Sequence, residues 1–314
     1  MREERIKVSD PILDKQEMDW WDTNASIIEN IWALNLDLQK IIRLPYLKKM
    51  KQFFTSSAKH LPVKILEIGC GSGWVCRLVA DENFHVIGTD FSAGQLEIAS
   101  SKAKFYHKEK FCKYELSDAS AFPKDIDGVI IHALLHHLSV EELNFFFKQL
   151  AKIPSSTKVF IYEPVFIKQQ QALPSFRDKV LNRIITNLKK FSIDRAKAIG
   201  SPDNDLNNAL EKIYKDAEEY GWYISPKEIP FYQDELTDYL APHFNTKNKY
   251  IVNKSDLEVS QALILNKIEK PDFVFSKILI PLLLWFDKLA FQGNFTFYIS
   301  PLAHQFVCFE LERK

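Results

Sequence analysis

The residues whose types and spacing are best suited to chemistry lie in Ile65-Leu66-Glu67-Ile68-Gly69-Cys70-Gly71-Ser72-Gly73, an apolar run that breaks into glycine at alternate positions. Glycine lets the backbone turn sharply and approach a ligand that a β-carbon would strike, so such a turn invites a small polar molecule to lie against main chain. A dinucleotide fingerprint, G-x-G-x-x-G, would need its last glycine where this chain has Trp74, which disfavours the dehydrogenase type of turn. A second apolar run closes at Gly88-Thr89-Asp90, about twenty residues on, where an acidic side chain can accept both hydrogen bonds of a ribose diol. The same aspartate could instead cap the helix that begins near Ser92. Further along stand Leu134-Leu135-His136-His137-Leu138 and Glu163-Pro164. An unperturbed imidazole titrates near neutrality, so either histidine could serve as a general base for a hydroxyl nucleophile, or could bond the backbone at a helix start. Glu163 could orient a substrate or stand in water at a loop start.

These residues need a scaffold, and the pattern supplies one. From Leu61 short apolar runs alternate with helical stretches, the signature of a parallel sheet with crossover helices. Strands are expected at Val63–Ile68, Phe84–Thr89, Lys110–Leu116, Gly128–His132 and Lys158–Tyr162, with helices over Trp74–Asp81, Ala93–Lys104 and Val140–Leu150. Met18–Phe54 has helical spacing (Ile27, Ile31, Leu34, Leu38, Ile41) and reads as a cap of one or two helices. After Pro164 the rhythm breaks into a charged helical stretch, Gln169–Tyr220, locally basic and then acidic, which reads as an insertion. A helix over Glu235–Phe244, a strand at Lys249–Val252 and a final strand at His304–Glu310 complete the chain. The expected fold is α/β, a doubly wound, mostly parallel Rossmann-like sheet of about seven strands. Its expected divisions are a helical cap (1–60), a core (61–164), a helical insertion or lid (165–234) and a C-terminal part with an apolar helical segment (235–314).

Composition narrows the function classes. Lys and Arg total 41, as do Asp and Glu, so no overall field draws the molecule to nucleic acid or an anionic surface. The four cysteines, Cys70, Cys76, Cys112 and Cys308, show no C-x-x-C pair, which argues against a zinc site or disulfide framework and for no metal. The charged stretch Met1–Asp10 lacks the apolar region of a secretory signal, so a cytoplasmic location is expected. The apolar run Ile278–Phe286 is bracketed by charge and is shorter than the roughly 20 residues a bilayer span takes. It reads as a buried helix, with peripheral membrane contact through residues 273–291 left open.

Taken in order and spacing, Glu67-x-Gly69-x-Gly71-x-Gly73, Asp90, Ser117-Asp118-Ala119 and Asp127-Gly128-Val129-Ile130-Ile131-His132 resemble the successive motifs of class I S-adenosylmethionine-dependent methyltransferases, over about Val63 to Glu163. The resemblance implies that Gly69, Cys70, Gly71 and Gly73 face the amino-acid end of S-adenosylmethionine, with Glu67 ordering that turn. It implies Asp90 at the ribose hydroxyls, Phe91 beside the adenine, Asp118 at the adenine amino group, a backbone amide from Ala119, and His132 near the methionyl portion. Ser155-Ser156-Thr157 departs from the Gly-rich turn many members carry before the fifth strand. The stretch Leu134-Leu135-His136-His137-Leu138 looks like the segment after the fourth strand in many small-molecule members, and Glu163, at the end of the fifth strand, faces the same open edge of the sheet, so His136, His137 and Glu163 are the catalytic candidates.

The expected reaction is in-line displacement at the sulfonium methyl by an oxygen, nitrogen or carbon of a small-molecule acceptor. The cofactor supplies the difficult electronics and the protein the alignment. Cap and insertion are placed in chain order to cover the open edge of the sheet and choose the acceptor. Phe-rich stretches near the C-terminus favour a hydrophobic or lipid-linked one. An NAD-dependent oxidoreductase and a non-catalytic S-adenosylmethionine-binding module are the competing readings. The oligomeric state is not written in the sequence.

Overall fold

A computed structural model describes residues 5–32, 36–56, 58, 60–105, 112–116, 125–166, 176–221, 224–252, 255–268, 271–283, 285 and 305–314. Strands β1 (Val63–Ile68), β2 (Phe84–Asp90), β3 (Cys112–Leu116), β4 (Gly128–His132), β5 (Lys158–Phe166), β6 (Phe231–Tyr232), β7 (Phe244–Val252) and β8 (Gln305–Arg313) form one sheet. Its order is β3-β2-β1-β4-β5-β8-β7, with the two-residue β6 paired to the end of β5. The first five strands pair in parallel, and β8 and β7 close the edge antiparallel. The chain therefore leaves β1 on one side for β2 and β3 and returns on the other for β4, so the reversal that opens a ligand crevice falls beyond the C-terminal ends of β1 and β4.

Both faces of the sheet are buried, and the side-chain alternation is read directly from the strands. Leu66, Ile68, Val129, Ile131, Val159 and Ile161 join one core with Leu143, Phe146 and Phe147 of α5 (Val140–Leu150). Ile65, Ile130, Phe160 and Tyr162 join the opposite core with Met50, Phe53 and Phe54 of α2 (Leu36–Thr55) and Val75 and Val79 of α3 (Trp74–Val79). A third cluster joins α6 (Phe176–Ile199), α9 (Ser255–Leu265) and the π-helical stretch Phe275–Leu279. Helices α1 (Pro11–Trp32), α4 (Ala93–Phe105), α7 (Asn204–Tyr220) and α8 (Gln233–Leu240) complete the described set.

One boundary differs with consequence. β5 continues past Tyr162 through Glu163 and Pro164 to Phe166, so Glu163 lies inside a strand and not at its end. The proline is tolerated because it falls in a gap: pairing with β4 ends at Tyr162 and pairing with β6 starts at Val165, so no ladder bond on that side needs its missing N–H. The insertion after β5 is helical as expected, through α6 and α7.

Candidate functional site

The glycine turn follows β1, and its three glycines have positive φ: Gly69 +68°, Gly71 +52° and Gly73 +74°, a region that L side chains adopt only at a cost. Gly69 has a second reason to lack a side chain. A β-carbon there would stand 2.8 Å from Cδ1 of Leu134, which roofs the turn from the segment after β4. The Gly71 N–H donates to Oδ2 of Asp90 at 2.8 Å, and the Ser92 N–H donates to Oδ1 at 2.9 Å. Asp90 thus ties the turn after β1 to the turn after β2. Burial raises its pKa, with the Ser92 and Gly71 amides opposing.

Glu67 points inward and not into the crevice. It is almost fully buried, accepts from Sγ of Cys76 at 2.8 Å, and burial pushes its carboxyl up to about 8. Cys70 is buried with its thiol pushed up to about 11, chiefly by burial, and its backbone N–H bonds the Thr89 carbonyl at 2.9 Å. Its side chain belongs to the core, beside Gly88. Phe91 is exposed. His132 stacks on Tyr162 (centroids 4.5 Å apart, planes at 5°) and meets the edge of Trp74 at 4.8 Å. Asp118 and Ala119 lie outside the described residues.

Beyond β4 the chain passes through Ala133, at φ +52°, into a 3-10 turn at Leu135–His137. Glu163 holds this turn. Its Oε1 accepts the N–H groups of Leu134 and Leu135, each at 2.8 Å, and its Oε2 lies 2.7 Å from Nδ1 of His136. The side chain is wholly buried, which excludes a carboxylate standing in water, and burial raises its pKa to about 7 against those two backbone bonds. Nε2 of His136 lies 3.7 Å from Glu228. His136 is thus held by Glu163 through Nδ1 and faces a second carboxylate at Nε2.

His137 is different. Its Nδ1 lies 2.9 Å from Glu17 and 3.3 Å from the Ser225 hydroxyl, and no hydrogen bond occupies Nε2 among the described residues. Burial lowers its pKa, but the Glu17 hydrogen bond and charge outweigh burial and leave it raised. Reciprocally, burial raises Glu17, and His137 with the Lys227 N–H and the Trp21 indole brings it below its ordinary value. His137 is near enough to Asp90 for its charge to favour that carboxylate.

Glu17 arrives on α1, and this helix reaches all three strand-end loops. Oε1 of Glu29 pairs with Nη2 of Arg77 at 3.0 Å, and Nη1 of Arg77 donates to the Ser72 carbonyl at 2.6 Å. Asp22 accepts from the Ser92 hydroxyl and, at 3.0 Å, from the Gly94 N–H. The N-terminal cap is thus clasped over the turns after β1, β2 and β4 by three carboxylates. Glu17, Asp22, Glu29 and Trp21 form no motif, which is why sequence reasoning does not find them. Trp21 donates to Glu17 at 2.8 Å and stands edge-on to His137 at 5.4 Å.

Residues 65–154 match the family model described as a methyltransferase domain. Over this segment the chain is similar to methyltransferase domains. Among curated proteins, the chain is similar to the ubiquinone biosynthesis O-methyltransferase of Pelagibacter ubique (strain HTCC1062), with 31% identity over 147 residues, 43% of this chain and 55% of that protein. The chain thus spans about half the length of that relative. Among solved structures, the cyclase SpnF superimposes with a TM-score of 0.54 at 12% identity over 98% of both chains. The Haemonchus contortus phosphoethanolamine N-methyltransferase 2 does so at 0.52 and 15% identity, over 97% of this chain and 60% of that one. At these identities the superpositions establish the fold.

Proposed function

We propose that this chain is an S-adenosylmethionine-dependent methyltransferase that methylates an oxygen of a small apolar acceptor, with His137 as general base. The observation that carries the reading is the meeting of the Gly69–Gly73 turn, Asp90 and the Glu17–His137 pair at one crevice under α1. The site fits the cofactor on its own terms: a turn of three glycines at positive φ, the Asp90 carboxylate bound to that turn, and an exposed aromatic ring at Phe91. Gly69, Gly71, Asp90 and Phe91 would hold it, with His132 beside them. When bound, S-adenosylmethionine supplies an electrophilic methyl on sulfur.

The rest is work for the chain's own residues. Glu17 keeps a proton on Nδ1 of His137 and so leaves the Nε2 lone pair to accept the acceptor's hydroxyl proton. Glu163 fixes the 3-10 turn that carries His137, and the indole of Trp21 and the side chain of Leu134 keep water out. The name of the ubiquinone biosynthesis relative supports oxygen as the methylated atom. An apolar acceptor, drawn from a lipid surface, is supported by α6 and the helical residues 273–283 and 285. Exposed Val180, Ile184 and Phe191 on the first and Ile278, Leu282 and Trp285 on the second recur at helical spacing, with Lys179, Arg183, Lys190 and Lys277 exposed nearby. Among the described residues no helix is long and apolar enough to cross a membrane.

The test is methyl transfer from radiolabelled S-adenosylmethionine to phenols with and without an alkyl chain. Label is expected on the alkylated phenol with wild type and not with His137→Gln. Equal transfer by His137→Gln would remove the base from the account.

A further inference from the structure

Gln95, in the first turn of α4, is 1% exposed, yet among the described residues neither Oε1 nor Nε2 of its carboxamide has a hydrogen-bond partner. Its backbone N–H donates to the Ser92 hydroxyl at 3.1 Å. The side chain is aimed at the glycine turn: Oε1 stands 3.6 Å from the point where a β-carbon on Gly71 would lie. A buried amide left without partners is costly and rare in a native protein, so it calls for something that satisfies it.

What surrounds it says what that is. Gly71 donates to Asp90, Asp90 accepts from Ser92, and the Ser92 hydroxyl accepts from Gln95, so the carboxamide and the Asp90 carboxylate border the same turn. A vicinal diol carries two O–H donors and lone pairs on both oxygens. Asp90 ionised can only accept, so it meets half of that demand. A carboxamide donates and accepts, and Gln95 can supply the donor that Asp90 lacks.

We propose that Gln95 is a ligand-binding residue that completes the site for a ribose diol, its orphaned carboxamide being satisfied only when the nucleoside end of the cofactor is bound. The proposal rests on the S-adenosylmethionine reading for its ligand. It carries a consequence that an ordinary packing residue would not show. The carboxamide lowers the stability of the ligand-free protein and raises affinity, so removing it moves the two in opposite directions.

The experiment measures thermal midpoint without ligand and calorimetric affinity for S-adenosylhomocysteine, in wild type, Gln95→Met and Gln95→Leu. The expected result is a midpoint raised by about 2–6 °C with affinity weakened about five- to tenfold. The affinity loss should vanish on the 2′-deoxy or the 3′-deoxy analogue of that ligand, whichever lacks the hydroxyl Gln95 meets. Unchanged affinity in both variants overturns the proposal, whatever happens to the midpoint. So does a lowered midpoint in both, which would mean that a buried water or a native partner already satisfies the amide. An affinity loss that persists in full on both deoxy analogues overturns the ribose assignment. If wild type itself fails to bind S-adenosylhomocysteine, the functional reading falls, and this proposal with it. Binding by wild type with equal binding by the variants removes Gln95 alone.

Discussion

Replacing Glu163 by alanine strands the N–H groups of Leu134 and Leu135, each now bonded at 2.8 Å, and frees Nδ1 of His136, now 2.7 Å away. A buried donor left unpaired costs about 1–3 kcal/mol. The two backbone donors alone therefore put the loss near 2–6 kcal/mol, and we expect about 3–5 kcal/mol because water can reach part-buried Leu134. Glu163→Gln keeps an acceptor for the two amides and should lose only about 1–2 kcal/mol. Urea unfolding at pH 7 reads both as a shifted midpoint with an unchanged slope. The pH dependence adds a second readout. The pKa of Glu163 is raised from 4.5 to about 7, so its contribution is fully present below pH 4.5 and is lost as pH rises through 7. The deficit of Glu163→Gln should accordingly narrow between those limits. A loss below about 1 kcal/mol for Glu163→Ala would refute the reasoning that this carboxylate anchors the turn.

Other outcomes follow from the same geometry. Glu17→Gln should reduce stability most between pH 4.5 and 6.5, the ordinary values of the two partners. Below that window Glu17 gains a proton, and above it His137 loses one, so a pH series of unfolding midpoints should show the gap closing at both ends. Glu29→Ala leaves the guanidinium of Arg77, 2% exposed, buried without its carboxylate and should cost about 3–5 kcal/mol. The double change Glu29→Met with Arg77→Met should recover most of that in the same unfolding assay. Gly69→Ala forces a side chain into φ +68° against Leu134. It should cost about 1–3 kcal/mol and abolish S-adenosylhomocysteine binding by calorimetry, while adding Leu134→Ala relieves the clash but not the backbone cost.

The sheet and the glycine turn were legible because they are local. The apolar runs of β1 and β4, the alternate glycines and Asp90 are each written within a few residues. The clasp was not legible, because Glu17 to His137, Asp22 to Ser92 and Glu29 to Arg77 join residues 48 to 120 positions apart, and a charged residue on a helix reads as solvated until its partner is placed. Glu163 was misplaced at a strand end because Pro164 is ordinarily a strand breaker, and only the gap between β4 and β6 makes it harmless. Gln95 carries no signal in a single sequence. What marks it is the absence of a partner, which exists only once the fold does.

The most direct test of the account is calorimetric titration of the purified chain with S-adenosylmethionine, beside NAD and beside an Asp90→Ala variant. Saturable binding of S-adenosylmethionine by wild type, lost in the variant, with no binding of NAD, is the predicted result. Binding of NAD with no response to S-adenosylmethionine would contradict it.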